Sequence, residues 1–334
     1  MAHTDVKVNI DLLKPVGTLG FGFPLILAKV SEKPVAYTEC KDLDEVVKAG
    51  FDEKSDVYKA ANLMLMQNNA PSKFAVCSVT EEIVTVLPSL IGKGWRQLIV
   101  VGFVKSGDMK DEEISAYIET TDKMYFTCTN AVSSASQLKS FNKTVCFEYK
   151  SEDYGELAVA ALVGATAGYN AGEITYKNII LKGLTAQTYT SAKLTALHEN
   201  GGITVLEKAG DNVTSEGIVG SGEYIDIIDS KDWIVQQLTY QTQKTLNTMK
   251  KVPYDNNGIA MLESIAVNVM RTAYNNGMIA TAEDGSPAYT VDYSLVSDCS
   301  PSDIAARKYI GGKFAFTLAG AVHSVEINGE ISIA

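Results

Sequence analysis

The chain has 334 residues, of which 46% are hydrophobic and 21% are charged, and its formal net charge is -11 at pH 7. This length is enough for one large domain or two ordinary ones, each with a core of its own. The acidic balance disfavours non-specific binding to nucleic acid or to anionic membranes, because those partners are also negatively charged.

The ends and the cysteines give no sign of secretion or of a membrane anchor. The first residues lack the basic region and apolar run of a signal peptide, and no segment is apolar for long enough to span a bilayer. Five cysteines are present, none in a C-x-x-C pair, and four fall in predicted strands. We therefore expect buried, reduced thiols, made in a cytoplasm.

The first predicted element is a strand over residues 5–11. Val6, Val8 and Ile10 alternate with polar residues, which is the two-residue period of a strand. A glycine-rich stretch follows and permits a bend, because glycine tolerates dihedral angles closed to other residues. Its glycines are Gly17, Gly20 and Gly22.

From Pro24 onward strands alternate with helices, which is typical of a mostly parallel sheet with helices on both faces. Asp42 and Glu45 predict a capping box, and Ser55 predicts the N-cap of a second helix. Residues 158–169 are rich in alanine and predict a buried helix. The predicted strands cover residues 25–30, 35–39, 74–79, 97–104, 124–129 and 143–149.

The pattern changes after Gly172, where we place a domain boundary before a second, α+β part. Short strands are predicted at residues 179–183, 203–207 and 224–228. Two long helices follow, the first capped by Asp229 or Ser230 and the second beginning after Gly258. The remaining predictions are strands at 288–296, 313–318 and 322–333 and a short helix at 302–309.

No set of residues converges on a catalytic site. Of the three histidines, His3 lies near the start, His198 at a helix end typical of a surface cap, and His323 in a predicted strand. No serine lies in a G-x-S-x-G elbow. The sequence therefore predicts no catalytic residues.

Binding motifs for cofactors and metals are also lacking. Gly92-Lys93 and Gly312-Lys313 lack the other residues of a phosphate-binding loop, and metal-ligand spacing of histidine and cysteine is absent. Residues 255–258 resemble part of a calcium-binding loop, but the alternating acidic ligands and the distal glutamate are missing. A turn followed by a helix N-cap is therefore favoured over a calcium site. Trp95-Arg96 fits a buried tryptophan entering a strand better than a base-stacking platform. We predict no cofactor, no metal and no nucleic acid partner.

Three stretches carry a resemblance to a known family, and all are patterns of packing residues. They are the early helix pair and following strand (41–47, 50–51, 57–63 and 70–76), residues 194–206, and residues 224–234. The layout of the whole chain resembles the sheath protein of contractile phage tails and of related particles such as R-type bacteriocins. Many sheath proteins are longer, so this chain resembles a compact version.

The resemblance implies that both ends are arms that add strands to a neighbouring subunit's sheet. In the N-terminal arm the anchors would be Val6, Val8 and Ile10. In the C-terminal arm they would be Val325, Ile327, Ile331 and Ile333. The alternative is that both ends pair within their own subunit.

The resemblance also implies how the subunit moves and what it touches. Subunits would rotate as rigid bodies during contraction, about hinges at Gly17, Gly20, Gly22, Gly311 and Gly312. Contact with an inner tube is expected at Arg307 and Lys308, with a solvated helix face as the alternative.

The expected domains are an N-terminal arm (1–22), an α/β domain (23–172), an α+β sheath core (173–318) and a C-terminal arm (319–334). The expected partners are further copies in a helical homopolymer, the inner tube protein, and baseplate and terminator proteins. We expect assembly in the host cytoplasm and then a place in a virion tail or a released particle. The competing hypotheses are an α/β enzyme with an unrecognised active site and a different phage structural or adhesion module.

Overall fold

The structure, a computed structural model, describes residues 21–102, 111–129, 135–150 and 154–326. An eight-stranded sheet dominates it, in the order β2-β3-β1-β4-β5-β6-β7-β8. The inner strands pair in parallel, whereas the edge strands β2 and β8 are antiparallel to their neighbours. The strands are β1 (Phe23–Lys29), β2 (Thr38–Cys40), β3 (Phe74–Val79), β4 (Trp95–Val101), β5 (Met124–Thr129), β6 (Thr144–Glu148), β7 (Gly202–Lys208) and β8 (Asp211–Thr214).

Helices cover both faces of this sheet, as predicted. Every residue of β3 to β6 is buried, because neither face is left to solvent. One face packs on α1 (Leu43–Ala49), α2 (Asp56–Leu65) and α5 (Val159–Thr166), and the other packs on α3 (Ile83–Leu90) and α4 (Asp111–Glu119). Helix α6 (Ser191–Glu199) precedes β7.

Local capping explains where the first helices begin. The Glu45 N–H donates to the Asp42 carboxylate at 2.9 Å, and the Tyr58 N–H donates to the Ser55 hydroxyl at 3.2 Å. The Glu45 carboxylate accepts from the Lys41 N–H at 2.8 Å, one residue earlier than a capping box requires. Both predicted N-caps are confirmed.

The rest of the chain forms a helical hairpin with a small sheet. Helices α7 (Ile225–Thr248) and α8 (Asn256–Asn275) pack together, and β9 (Tyr289–Tyr293) pairs antiparallel with β10 (Gly312–Phe316). Alternate residues of the two strands pack against the hairpin, among them Val291 and Phe314. A short helix, α9 (Pro301–Ala305), lies between the strands.

The strand predicted at residues 224–228 is wrong, because these residues begin α7. Ile225 and Ile227 alternate with Asp226 as in a strand, but Ile225 and Ile228 are spaced for one face of a helix, and both of these are buried in the main core. The helix N-cap is Tyr224, so Asp229 and Ser230 are buried in the second turn and cap nothing.

Two other predicted strands differ. Residues 179–183 form one bridge, from Ile180 to Val213. Residues 321–326 form no strand, and the rest of the strand predicted at 322–333 lies outside the described residues. The large sheet continues past residue 172 into β7 and β8, so it spans the predicted boundary, and the domain division stays a prediction.

Four of the five cysteines are buried in β2, β3, β5 and β6, and Cys299 is half-buried. Within the described parts of the chain, no helix combines the length and apolarity that crossing a bilayer requires.

Candidate functional site

The carboxyl edge of the large sheet, where α/β enzymes place their reactive groups, holds a buried polar lattice. Glu148 ends β6, is fully buried and accepts from the Tyr189 hydroxyl. The Thr204 hydroxyl donates to the Glu148 backbone carbonyl at 2.7 Å. These bonds tie neighbouring strands and a loop together.

A histidine–serine pair at the next strand is also enclosed. His198 Nε2 lies 2.9 Å from Ser215 Oγ, which accepts from the Thr204 N–H at 3.0 Å. Burial lowers the pKa of His198. The expectation of a surface cap is therefore wrong, because the ring is half-buried and hydrogen-bonded within the fold. Ser215 is only 3% exposed, so a substrate has no route to it.

Metal ligation has no counterpart in the structure either. Among residues 21–102, 111–129, 135–150 and 154–326, no three histidine, cysteine or acidic side chains are grouped to hold an ion. The segment that resembles a calcium loop is a helix start, since the Gly258 N–H donates to the Asp255 carboxylate at 2.9 Å.

The small sheet offers backbone groups to a further strand. Ser294 donates to the Gly311 carbonyl and Thr317 to the Ala288 carbonyl, which fixes the alternate residues that bond across the pair. The intervening amides, including those of Val291 and Phe314, point away from the partner strand. The outward amide at the start of β9 is already used, because Tyr289 donates to the Pro287 carbonyl at 2.9 Å. The outward amides of Val291 and Phe314 therefore lie on the edges that the two strands present.

The long edge of the large sheet, in contrast, is covered. Residues 178–181 run beside β8, where Leu181 donates to the Asn212 carbonyl at 2.8 Å and Thr214 donates to the Ile179 carbonyl at 3.0 Å. The opposite edge strand, β2, has only three residues. Strand addition is consequently favoured at the small sheet.

The structure describes only one of the predicted arm anchors. Val325 is 74% exposed, and Val322 nearby is 81% exposed. The others, Val6, Val8, Ile10, Ile327, Ile331 and Ile333, lie outside the described residues. Two apolar side chains are thus presented to solvent just before the predicted C-terminal anchors.

The predicted hinge glycines that the structure describes are closely packed. A Cβ on Gly22, whose φ is +108°, would lie 2.7 Å from the Arg96 Cβ. A Cβ on Gly311 would lie 2.8 Å from the Ser294 Cβ, and one on Gly312 would lie 2.8 Å from the Tyr293 ring. Neighbouring atoms come so close at these three positions that a side chain larger than that of glycine would collide with them. Gly17 and Gly20 lie outside the described residues.

The predicted tube contacts follow α9 on an exposed loop. Arg307 has a left-handed backbone with φ of +55°, and both Arg307 and Lys308 are exposed. The Tyr254 hydroxyl, from the turn between α7 and α8, donates to the Lys308 carbonyl at 3.2 Å. The loop is therefore fastened to the helical hairpin while its two cations face solvent.

A buried ionic cluster joins the large sheet to α7, and the sequence analysis missed it. The Arg96 guanidinium on β4 lies 2.7 Å from Asp229 and 2.8 Å from Asp232. Lys143 lies 3.3 Å from Asp232, and the Tyr176 hydroxyl donates to Asp229 at 2.8 Å. Two cations thus balance two carboxylates inside the protein.

The pKa values of the cluster residues are shifted in opposite directions by burial and by their charged partners. Burial alone would lower the pKa of Arg96, but Asp232 and Asp229 raise it above its ordinary value. Burial raises the pKa of Asp229, and Arg96 opposes that shift. Burial also lowers the pKa of Lys143, which Asp232 opposes. Each charge therefore depends on its partners.

A cavity beside the cluster is lined by Phe21, Gly22, Trp95, Arg96, Lys123 and Asp232, among others. Trp95 is buried as predicted and donates from its indole N–H to the Leu90 carbonyl at 2.8 Å. The available signal for the cluster was an arginine next to this tryptophan in an otherwise apolar strand.

Comparison with known families matches the C-terminal third of the chain. Residues 225–331 match the family described as E217 tail sheath protein gp31-like, C-terminal domain. This match begins at the first residue of α7 and includes the hairpin and the small sheet. No protein of curated function matches the sequence.

Solved structures with the same fold cover nearly the whole chain. The anti-feeding prophage helical sheath in its contracted state has a TM-score of 0.69 at 14% identity, covering 99% of each chain. The sheath complex of an extracellular contractile injection system (PVC), also contracted, has a TM-score of 0.69 at 10% identity, covering 99% of this chain and 97% of that one. The sheath tail protein Lin1278 from Listeria innocua has a TM-score of 0.59 at 11% identity, covering 91% of this chain and 96% of that one. The C-terminal third of the chain thus matches the tail sheath family, and the chain as a whole has the fold of these solved sheath structures.

Proposed function

We propose that the protein is a structural subunit of a contractile tail sheath, which polymerises as a helical homopolymer around an inner tube. The observation that carries the proposal is the tail sheath match over residues 225–331, the part that holds the open small sheet. Contraction would be a rearrangement of subunits from an extended lattice to a better-packed one. It requires no cofactor and no catalytic residue, and no observation favours the α/β enzyme as a second candidate.

Terminal strand exchange would connect the subunits. An arm from a neighbour would add a strand to β9 or β10, taking up the amides that face outward there. Val291 and Phe314 already form an apolar layer against α8, and an added strand would extend it with every second side chain. We assign this role to Val6, Val8 and Ile10 in one arm and to Val325, Ile327, Ile331 and Ile333 in the other.

The rigid body in this proposal is the large sheet together with α7. The buried cluster around Arg96 fastens the two, so rotation would take place in the connections to the arms. Gly17 and Gly20 remain the hinge candidates. Bending at Gly22, Gly311 or Gly312 would require their close contacts to open.

The other partners and the location follow from the same role. Arg307 and Lys308 would contact the inner tube, and baseplate and terminator proteins would bind the ends of the polymer. A solved anti-feeding prophage baseplate has a chain with this fold, at a TM-score of 0.70 and 14% identity, covering 100% of this chain and 99% of that one. Assembly would occur in the host cytoplasm, before the subunit becomes part of a virion tail or a released particle. We keep the four predicted domains as the division of the chain.

Electron microscopy tests the proposal directly. Purified protein in negative stain should form tubes or rings, whereas a monodisperse monomer under all conditions would contradict a sheath subunit. Deletion of the residues before Val16 should abolish polymerisation and leave the fold, measured by circular dichroism, intact. Normal polymers from the truncated protein would show that the N-terminal residues are not the connecting arm.

A further inference from the structure

Two segments that lead into the predicted arms contact the same end of α7. Phe21 is the first described residue after the predicted N-terminal anchors, and its ring centre lies 4.5 Å from the Arg96 guanidinium carbon. Arg96 is itself fixed by Asp229 and Asp232 in the early turns of α7. The beginning of the described chain is therefore seated on the ionic cluster.

The C-terminal segment is seated on the same helix by one histidine. The His323 ring lies 4.8 Å from the Tyr224 ring, nearly perpendicular to it at 89°. His323 Nδ1 lies 3.3 Å from a Glu216 oxygen, and the other Glu216 oxygen pairs with Lys177 at 2.7 Å. The His323 side chain is 17% exposed, in contrast to the exposed valines on either side of it. His323 is thus where the segment is held after its last strand contact.

An acidic stripe connects the two seats. Asp226, Asp229 and Asp232 follow at intervals of three residues and so lie along one side of the first turns of α7. Burial raises the pKa of Asp226, His323 opposes that shift, and Asp229 adds to it. Asp226 therefore lies within the electrostatic reach of both seats.

We propose that the first two turns of α7 are a common anchor for the roots of both arms, with Phe21 and His323 as the positioning residues. That the two segments are arm roots rests on the proposed function. The contacts themselves belong to the free subunit. Because both roots are held at one helix end, release of one root would loosen that end and with it the other root, and the effect would be reciprocal.

Hydrogen exchange with mass spectrometry on the unassembled full-length protein tests this anchor. Phe21→Ala should increase exchange in peptides covering residues 21–30, and His323→Ala should increase it about fivefold in residues 319–326, the change expected from loss of one aromatic contact. Each substitution should also increase exchange, more weakly, in the other segment. His323→Phe, which keeps the perpendicular ring contact, should restore most of the protection.

Val322→Ala is the matched control, because its side chain is exposed and should affect neither segment. Unchanged exchange in both variants would overturn the anchor, and an increase confined to the substituted segment would overturn its shared character. Hydrogen exchange is measured on the unassembled protein. A failure to see polymers by electron microscopy would therefore count against the proposed function and not against this anchor.

Discussion

Replacement of Arg96 by methionine should strongly destabilise the subunit. The substitution keeps much of the apolar length and removes the charge that faces Asp229 and Asp232, whose side chains are 5% and 4% exposed. The balanced cluster would then carry one uncompensated negative charge. Breaking a buried pair by removing one partner costs about 3–5 kcal/mol. Lys143 and Tyr176 keep partial support for the two carboxylates, so we expect a loss of about 3 kcal/mol in the free energy of unfolding.

The loss should depend on pH in a defined direction. Without Arg96 the Tyr176 hydrogen bond is left to oppose the burial that raises the pKa of Asp229, so the folded protein would bind a proton there more readily than the unfolded chain. A raised carboxyl pKa contributes stability that is present at low pH and lost as pH rises through the folded value. The deficit of Arg96→Met relative to wild type should therefore be smaller at about pH 5 than at about pH 8.

Urea denaturation of the unassembled protein, followed by circular dichroism, measures both effects. Arg271→Met is the matched control, because Arg271 is exposed on α8 and contacts only its neighbour Asn268 among the described residues. The control should change stability by less than about 0.5 kcal/mol. Adding Asp229→Asn to Arg96→Met should recover part of the loss. A loss below about 1 kcal/mol for Arg96→Met, or no recovery in the double variant, would refute the role given to the cluster.

Two further substitutions test the packing and the titration of the large sheet region. Gly164→Ala should lower the free energy of unfolding, measured by heat or urea, by about 1–3 kcal/mol, because the new Cβ would lie 2.3 Å from the Met64 carbonyl oxygen. Gly92→Ala is the control and should be nearly neutral, because its Cβ would meet no atom within 4 Å. Burial lowers the pKa of His198, so the folded protein binds fewer protons there and should lose stability as pH falls below about 6.5. His198→Gln should show a smaller loss over that range, and an unchanged profile would contradict the inference.

Strands and helix starts that depend only on neighbouring residues could be predicted from the sequence. The strands at 74–79 and 124–129 and the caps at Asp42 and Ser55 depend on runs of neighbouring residues, and the structure confirms them. The prediction at the start of α7 was wrong because Ile225 and Ile227 alternate as in a strand, whereas Ile225 and Ile228 have helical spacing and are the pair buried in the core.

The ionic cluster could not be predicted, because it joins residues far apart in the chain. Arg96 and Asp229 are 133 positions apart, and neither has a spacing that points to the other. An arginine in an apolar strand indicates that a partner is needed, but only the tertiary fold selects which acid supplies it. The same holds for His323, whose partners Glu216 and Tyr224 belong to a distant loop and helix start.

Assembly by strand addition, as proposed above, would also explain how the fold persists at 10–14% identity in the solved sheath structures. Backbone amides form the connection, so an acceptor edge needs an exposed strand with an apolar layer beneath it and no particular residue. The layer at Val291 and Phe314 tolerates other side chains of similar volume. Specificity would come instead from which edges stay open. Residues 178–181 cover the β8 edge and β2 has only three residues, so in this proposal the small sheet would be the surface for a neighbour's strand.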